Sequence, residues 1–133
     1  MSKIEKDPHV MIIVEGVNHI NLAVTDLKAA VKFYSDLFDF EVIDDSHKGH
    51  VVMSLDPIKV KLIKVEKVEN QLTGLKHPTI SFILDVDDFT EAISEIEEKG
   101  LQIVRGPEAT EGGGETLIFK DPDSNLIEIF YIS

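Results

Sequence analysis

The 133-residue sequence predicts an α+β domain in which two βαβββ modules form a curved mixed sheet around a metal or ligand cavity. Three observations lead there. Segments of strand, helix and three further strands recur in the same order in both halves, and such an internal repeat governs the choice of fold. Each helical segment carries one apolar stripe while most strand segments alternate, so each half makes a sheet with a helix on one face and the other face free. A polar, glycine-containing stretch at 66–78 separates a first module at 16–65 from a second at 79–133, within one domain spanning 1–133.

His19–Val24 alternates in character and is bounded by Gly16 and by Thr25-Asp26, which reads as a strand. Leu27, Val31, Tyr34 and Leu37 then recur at helical steps, with Ala30, Phe33 and Phe38 widening the stripe. Thr25 or Asp26 supplies the cap, because a side-chain oxygen there accepts from a free first-turn amide. Strands follow at about 41–45, 50–55 and 58–65. In the second half 79–84 is a strand, and Asp88-Phe89-Thr90-Glu91 has capping-box spacing at a helix start. Phe89, Ala92, Ile93 and Ile96 form that helix's buried stripe and Gly100 ends it. Strands at 101–104, 115–120 and 126–132 complete the repeat. The apolar run 10–14 precedes it, either as an added edge strand or as a contact with a second subunit.

Composition narrows the function. Hydrophobic residues make up 43% and charged residues 29%, enough apolar surface for a core. No run approaches the ~20 apolar residues that span a bilayer, and the acidic start lacks a secretory pattern, so cytoplasm is the expected location. Thirteen basic against 25 acidic side chains give a net charge of −12, with no basic footprint for nucleic acid. Arg105 is the only arginine, which excludes an arginine cluster. Without cysteine, a metal site must use histidine and carboxylate.

His19 sits two residues from Asn21 on one face of its strand, and Glu128 lies inside the apolar run Leu126-Ile127-Glu128-Ile129-Phe130. A carboxylate buried there is expensive unless paired, and a cation shared with His19 accounts for both residues. The competing reading turns Glu128 outward on the strand's polar face. The Gly112-Gly113-Gly114 run reads as a lid or bulge beside the cavity, since it lacks the lysine and helix of a phosphate loop.

The segment Phe119-Lys120-Asp121-Pro122-Asp123-Ser124-Asn125-Leu126-Ile127-Glu128 is similar to the F-x-D-P-D-G-N-x-x-E ending of the vicinal oxygen chelate superfamily. Val17-Asn18-His19-Ile20-Asn21-Leu22-Ala23-Val24, Asp26-Leu27 and Phe33-Tyr34 resemble that family's first half. The superfamily includes glyoxalase I, extradiol dioxygenases, methylmalonyl-CoA epimerase, and the fosfomycin- and bleomycin-resistance proteins. The resemblance implies a small metal-dependent enzyme acting as a Lewis acid on vicinal oxygens of a small molecule, a lyase, isomerase or dioxygenase. It implies His19 and Glu128 as ligands of a divalent ion (Mn, Fe, Ni, Co or Zn), with Glu128 and His50 in catalytic roles. Asn21, Thr79 and Lys61 are the substrate-binding candidates.

Several residues depart from the family pattern. Ser124 replaces the usual glycine, at a cost if its φ is positive. The family's second histidine, three residues before an aromatic, falls on Thr79 when read back from Phe82. His77 lies two residues earlier, on the same face of a straight strand, and reaches the metal if the strand slides or bulges. The ligand set is therefore read as His19, His77 and Glu128, with Thr79 the rival to His77. The fourth ligand of glyoxalase I falls near Lys59 or Lys61, which argues for three ligands. A homodimer is expected, because half-sheets leave edges that a two-fold partner covers. The alternatives are a metal-free, bleomycin-resistance-like binding protein with an acidic groove, and a fosfomycin-resistance-like thiol transferase.

Overall fold

The computed structural model describes residues 12–132. Its elements run β1 (His19–Val24), α1 (Leu27–Phe38), β2 (Val42–Asp44), β3 (His50–Leu55) and β4 (Ile58–Lys64) in the first half. After a short α2 (Gln71–Gly74) come β5 (Ile80–Ile83), α3 (Phe89–Glu98), β6 (Ile103–Ala109), β7 (Gly114–Lys120) and β8 (Leu126–Ile132). The strands form two four-stranded sheets with matching orders, β1-β4-β3-β2 and β5-β8-β7-β6. In each, the first and last strands of the module pair in parallel and the other pairs are antiparallel. The two βαβββ modules read from the sequence are present.

Local chemistry sets the boundaries. Asp26 caps α1 by accepting from the Ala29 amide, and Asp88 caps α3 by accepting from the Thr90 amide. Asp39 closes α1 in the left-handed region, its N–H bonded to the Ser35 carbonyl. Strand β6 runs past the four residues expected of it, through Gly106-Pro107, because the pairing with β7 tolerates two register shifts. Gly106 is required there: its φ is 90°, and a β carbon would lie 2.5 Å from the Thr116 carbonyl oxygen. The triglycine run is a hydrogen-bonded turn rather than a lid. Thr110 N–H donates to the Gly114 carbonyl at 2.8 Å, and Gly114 N–H donates to Thr110 Oγ1 at 3.1 Å. Of the 10–14 run, residues 10 and 11 lie outside the described residues; Ile12, Ile13 and Val14 join no strand and are exposed.

Alternation gives each sheet a buried face. Leu22, Val24, Val51, Met53, Val60 and Leu62 from the first sheet, and Leu117, Phe119, Ile127 and Ile129 from the second, enter one core with α1 and α3. Aromatic rings carry that core across the modules: Phe38 lies 4.9 Å from Phe82 and 6.4 Å from Phe119, and Phe40 lies 5.5 Å from Phe82. Each such pair adds ~0.5–1.5 kcal/mol beyond its buried area. Both sheets therefore turn their helix-side faces inward and their free faces away from the shared core.

A polar clasp joins the modules beside this core. The Tyr34 hydroxyl donates to Asp121 Oδ2 at 2.6 Å, and Asn125 Nδ2 donates to the Ala23 carbonyl and to Asp121 Oδ2, both at 3.0 Å. Asp121 Oδ1 accepts from the Asp123 and Asn125 amides, and Thr25 donates through its hydroxyl and its amide to Asp123 Oδ1. Burial pushes the Asp121 carboxyl up while these donors pull it back, and burial beside Asp121 pushes the Tyr34 phenol well above its ordinary range. The turn closes with the Asp121 N–H donating to the Asn125 carbonyl and the Ser124 N–H donating to the Asp121 carbonyl, both at 3.0 Å, with a left-handed residue inside it. Ser124 takes that place at φ 64°.

Two stability outcomes follow from the clasp. Asn125→Ala strands partners in both modules and should lower unfolding free energy by ~2–4 kcal/mol, against ~1–3 kcal/mol for Tyr34→Phe, both read from urea denaturation. Ser124→Gly relieves the left-handed serine and should raise it by ~0.5–1 kcal/mol on the same measurement, whereas Ser124→Val should lower it.

Candidate functional site

The residues singled out for chemistry lie mainly on the free faces. On the first sheet, register places them in three rungs running from β3 through β4 to β1. These are Ser54–Lys59–His19, Val52–Lys61–Asn21 and His50–Ile63–Ala23. The side chains between them point into the core, which is why these rungs share the opposite face. His19 is exposed, and its Nδ1 lies 2.8 Å from Asn18 Oδ1. A carboxamide oxygen accepts, so Nδ1 carries the proton and Nε2 is the nitrogen left for a ligand. Lys61 and His50 are half-buried, while Asn21 and Lys59 are exposed. Burial, reinforced by the charges of Lys61 and His47, pulls the His50 pKa below the ordinary histidine value.

On the second sheet, Glu128 is half-buried in β8 between the buried Ile127 and Ile129. Its rung runs Ser81–Glu128–Ile118–Arg105 across β5, β8, β7 and β6. Thr116 Oγ1 donates to Glu128 Oε2 at 2.7 Å. The cost of placing a carboxylate in this strand is thus met in part by a hydroxyl from the neighbouring strand. Glu128 is neither turned fully to solvent nor left without a partner. Arg105 pairs with Glu108 on its own strand.

The second ligand position resolves differently from either slide or bulge. Strand β5 pairs with β8 in continuous register from Ile80 to Ile83, and the Thr79 amide extends it by donating to the Leu126 carbonyl at 2.8 Å. Ser81 is the residue level with Glu128, and Thr79 is two residues before it on the same face. His77 is outside the strand, exposed, with its amide bonded to the Leu72 carbonyl at the end of α2. Four residues of extended chain are ~13 Å, so the register does not bring His77 to Glu128. Thr79 is half-buried, and its hydroxyl accepts from Asn70 Nδ2 at 2.6 Å. Asn70 also bonds Asn125 Oδ1 at 3.2 Å and caps α2 through Oδ1, so the connector is tied to the clasp.

Imidazole and carboxylate suit a divalent ion chemically. Among the described residues of one chain, however, no three histidine, cysteine, aspartate or glutamate side chains are grouped to hold one. His19 and Glu128 stand on the free faces of different sheets, each turned from the common core. One copy of the chain does not assemble the predicted site. Asn70 and Thr116 were missed by sequence reasoning. Thr116 had a signal, since alternation along β7 puts it on the face of Glu128; Asn70 had none.

No helix among the described residues is long and apolar enough to cross a membrane. The sequence profile of the Glyoxalase/Bleomycin resistance protein/Dioxygenase superfamily matches residues 16–129. The fosfomycin resistance protein FosX of Listeria innocua is 30% identical over 122 residues, covering 87% of this chain and 89% of that protein. Metallothiol transferase FosB of Bacillus licheniformis is 23% identical over 114 residues, covering 86% and 73% respectively. Among solved structures, FosX of Listeria monocytogenes complexed with Mn(II) and sulfate superposes with a TM-score of 0.74 at 20% identity, covering 91% of this chain and 93% of that one. With the paired βαβββ modules and the profile match over nearly the whole chain, this protein belongs to the glyoxalase/bleomycin resistance/dioxygenase superfamily.

Proposed function

We propose that this chain is a cytoplasmic, metal-dependent enzyme of the glyoxalase/dioxygenase type, acting on vicinal oxygens of a small anionic molecule, and that two copies complete each site. The observation that carries this reading is the sidedness of the fold. His19 stands on the outer face of one sheet and Glu128 on the outer face of the other, so a homodimer that seats the first face of one copy on the second face of its partner unites them. His19 and Glu128 hold a divalent ion in this reading, and Thr79 takes the third position in place of His77. The ion supplies a Lewis acid to two adjacent oxygens. Asn21, Lys59 and Lys61 bind the substrate's remaining oxygens, with the two lysines favouring an anion. His50 accepts a proton. The Mn(II) bound by Listeria FosX and the name metallothiol transferase borne by FosB support a divalent ion, and they keep thiol transfer as a variant of the same reading.

A second reading has one observation in its favour. The lack of a three-ligand group among the described residues suits a metal-free binding protein of the bleomycin-resistance kind. The lysines on the first free face weigh against a cationic guest.

Calorimetric titration of Mn²⁺ decides between them. Wild type should bind, His19→Ala and Glu128→Gln should each lose at least ~10-fold in affinity, and His77→Ala should bind as wild type. Loss in His77→Ala with Thr79→Ala unaffected would return the third position to His77. No divalent ion bound by wild type would hand the site to the metal-free reading.

Complementation tests the shared site. Light scattering should give a dimer mass, and refolding equal amounts of His19→Ala and Glu128→Gln chains together should recover roughly a quarter of the wild-type Mn²⁺ sites. A site held within one chain would recover none.

A further inference from the structure

The first free face ends at a feature that the metal site does not use. Residue His50 opens β3 at a rung four residues along and two strands across from His19, ~16 Å by strand spacing, too far to share an ion with it. Its ring stacks on that of His47, centroids 4.4 Å apart and planes inclined by 20°. On its other side His47 Nε2 lies 3.5 Å from Asp44 Oδ2. Asp44 is itself fixed, because Ser46 donates to its Oδ1 through the hydroxyl at 2.6 Å and through the amide at 2.9 Å. Those bonds hold the Asp44 carboxyl below the usual carboxylate range, so it is ionised across the range in which imidazoles titrate. The groups facing His50 are thus Asp44 from β2, His47 from the hairpin and Lys61 from β4.

We propose that His47 is a positioning residue for His50: Asp44 anchors the His47 ring, that ring stacks on His50, and the pair keeps His50 ready to take a proton from a water or hydroxyl at the rim of the free face. Two adjacent imidazoles do not both charge readily, since like charges at this distance repel. Burial, with Lys61 and His47 beside it, holds the His50 ring below the ordinary histidine pKa, which leaves it a lone pair. This inference rests on the reading of His50 as proton acceptor, but its test needs neither metal nor substrate, so failure to bind Mn²⁺ leaves it standing.

The test is an NMR pH titration of the imidazole C–H resonances in the metal-free full chain. His47→Phe keeps an aromatic ring on His50 and removes the charge, and the His50 midpoint should rise by roughly half a pH unit, the size of effect unit charges 4–5 Å apart exert in water. The rise should shrink in ~1 M salt. Wild type should show Overhauser contacts between the two rings, and Asp44→Asn should lose them while keeping its amide dispersion. An unmoved His50 midpoint in His47→Phe would mean a stacking role only and would overturn the proposal. So would the absence of ring–ring contacts in wild type, or their persistence in Asp44→Asn.

Discussion

The buried carboxylate of Asp121 is the constraint on which the rest of the structure depends. A nearly inaccessible aspartate is tolerated only when its lone pairs are occupied, and here the Tyr34 hydroxyl, the Asn125 side chain and two backbone amides occupy them. Three of those donors come from the turn that Asp121 itself begins. The phenol comes from the helix of the other module, 87 residues away in sequence. Asn125, buried beside it, spends one amide hydrogen on Asp121 and the other on the Ala23 carbonyl, where β1 ends. The same short turn therefore fixes where β1 and α1 stand relative to β8. It also demands the left-handed backbone that Ser124 supplies at some cost.

From that junction the division of labour follows. With the modules held by the clasp and by the Phe38, Phe40, Phe82 and Phe119 rings, the helix-side faces are committed to one core. Every second residue of β1, β3, β4, β7 and β8 is then used for packing. The intervening residues of β1, β3 and β4 are left half-buried or exposed, while on β7 and β8 Thr116, Ile118 and Leu126 are buried around the half-buried Glu128. Glu128 comes three residues after Asn125, so a strand launched from the clasp carries the carboxylate to a set height opposite Ser81 and Ile118, within reach of the Thr116 hydroxyl. A change at the clasp would act on the candidate site through this geometry, with no contact to a ligand.

Much of this was legible in the chain, and what was not has physical causes. Period-two alternation exposed β1, β3, β4 and β8, and helical spacing exposed α1 and α3, because burial on one face leaves that imprint on sequence. Strand β6 was cut short because Gly106-Pro107 reads as a break, whereas two bulges carry the strand through it. Helix α2 and the role of Asn70 were invisible: four residues carry no periodicity, and an asparagine in a polar connector looks like every other loop asparagine until Thr79 and Asn125 are placed beside it. Alternation also announced that each sheet has a free face. It did not say that both free faces turn away from the common core, since that depends on contacts such as Tyr34–Asp121 and Thr25–Asp123 that join distant parts of the chain. The resemblance supplied His19 and Glu128 as a pair, and only the assembled fold shows them on different sheets.

The net charge of −12 looks at first like an objection to an anionic guest. Distance decides otherwise. At physiological salt, charges more than ~8 Å apart are largely screened, so the acidic outer face of α3, with Glu91, Glu95 and Glu98, has little hold on a molecule over the first sheet. Within that radius the free face presents Lys59 and Lys61 on successive rungs, with His19 beside one and His50 near the other. Asp44 is the carboxylate acting on His50 from β2, and Ser46 and His47 already engage it. Lys61 is half-buried, which lowers the local dielectric and strengthens its pull relative to a fully solvated lysine. The acidic surplus does not set the sign of this face. The local lysines set it, in keeping with the small anionic substrate proposed for this face.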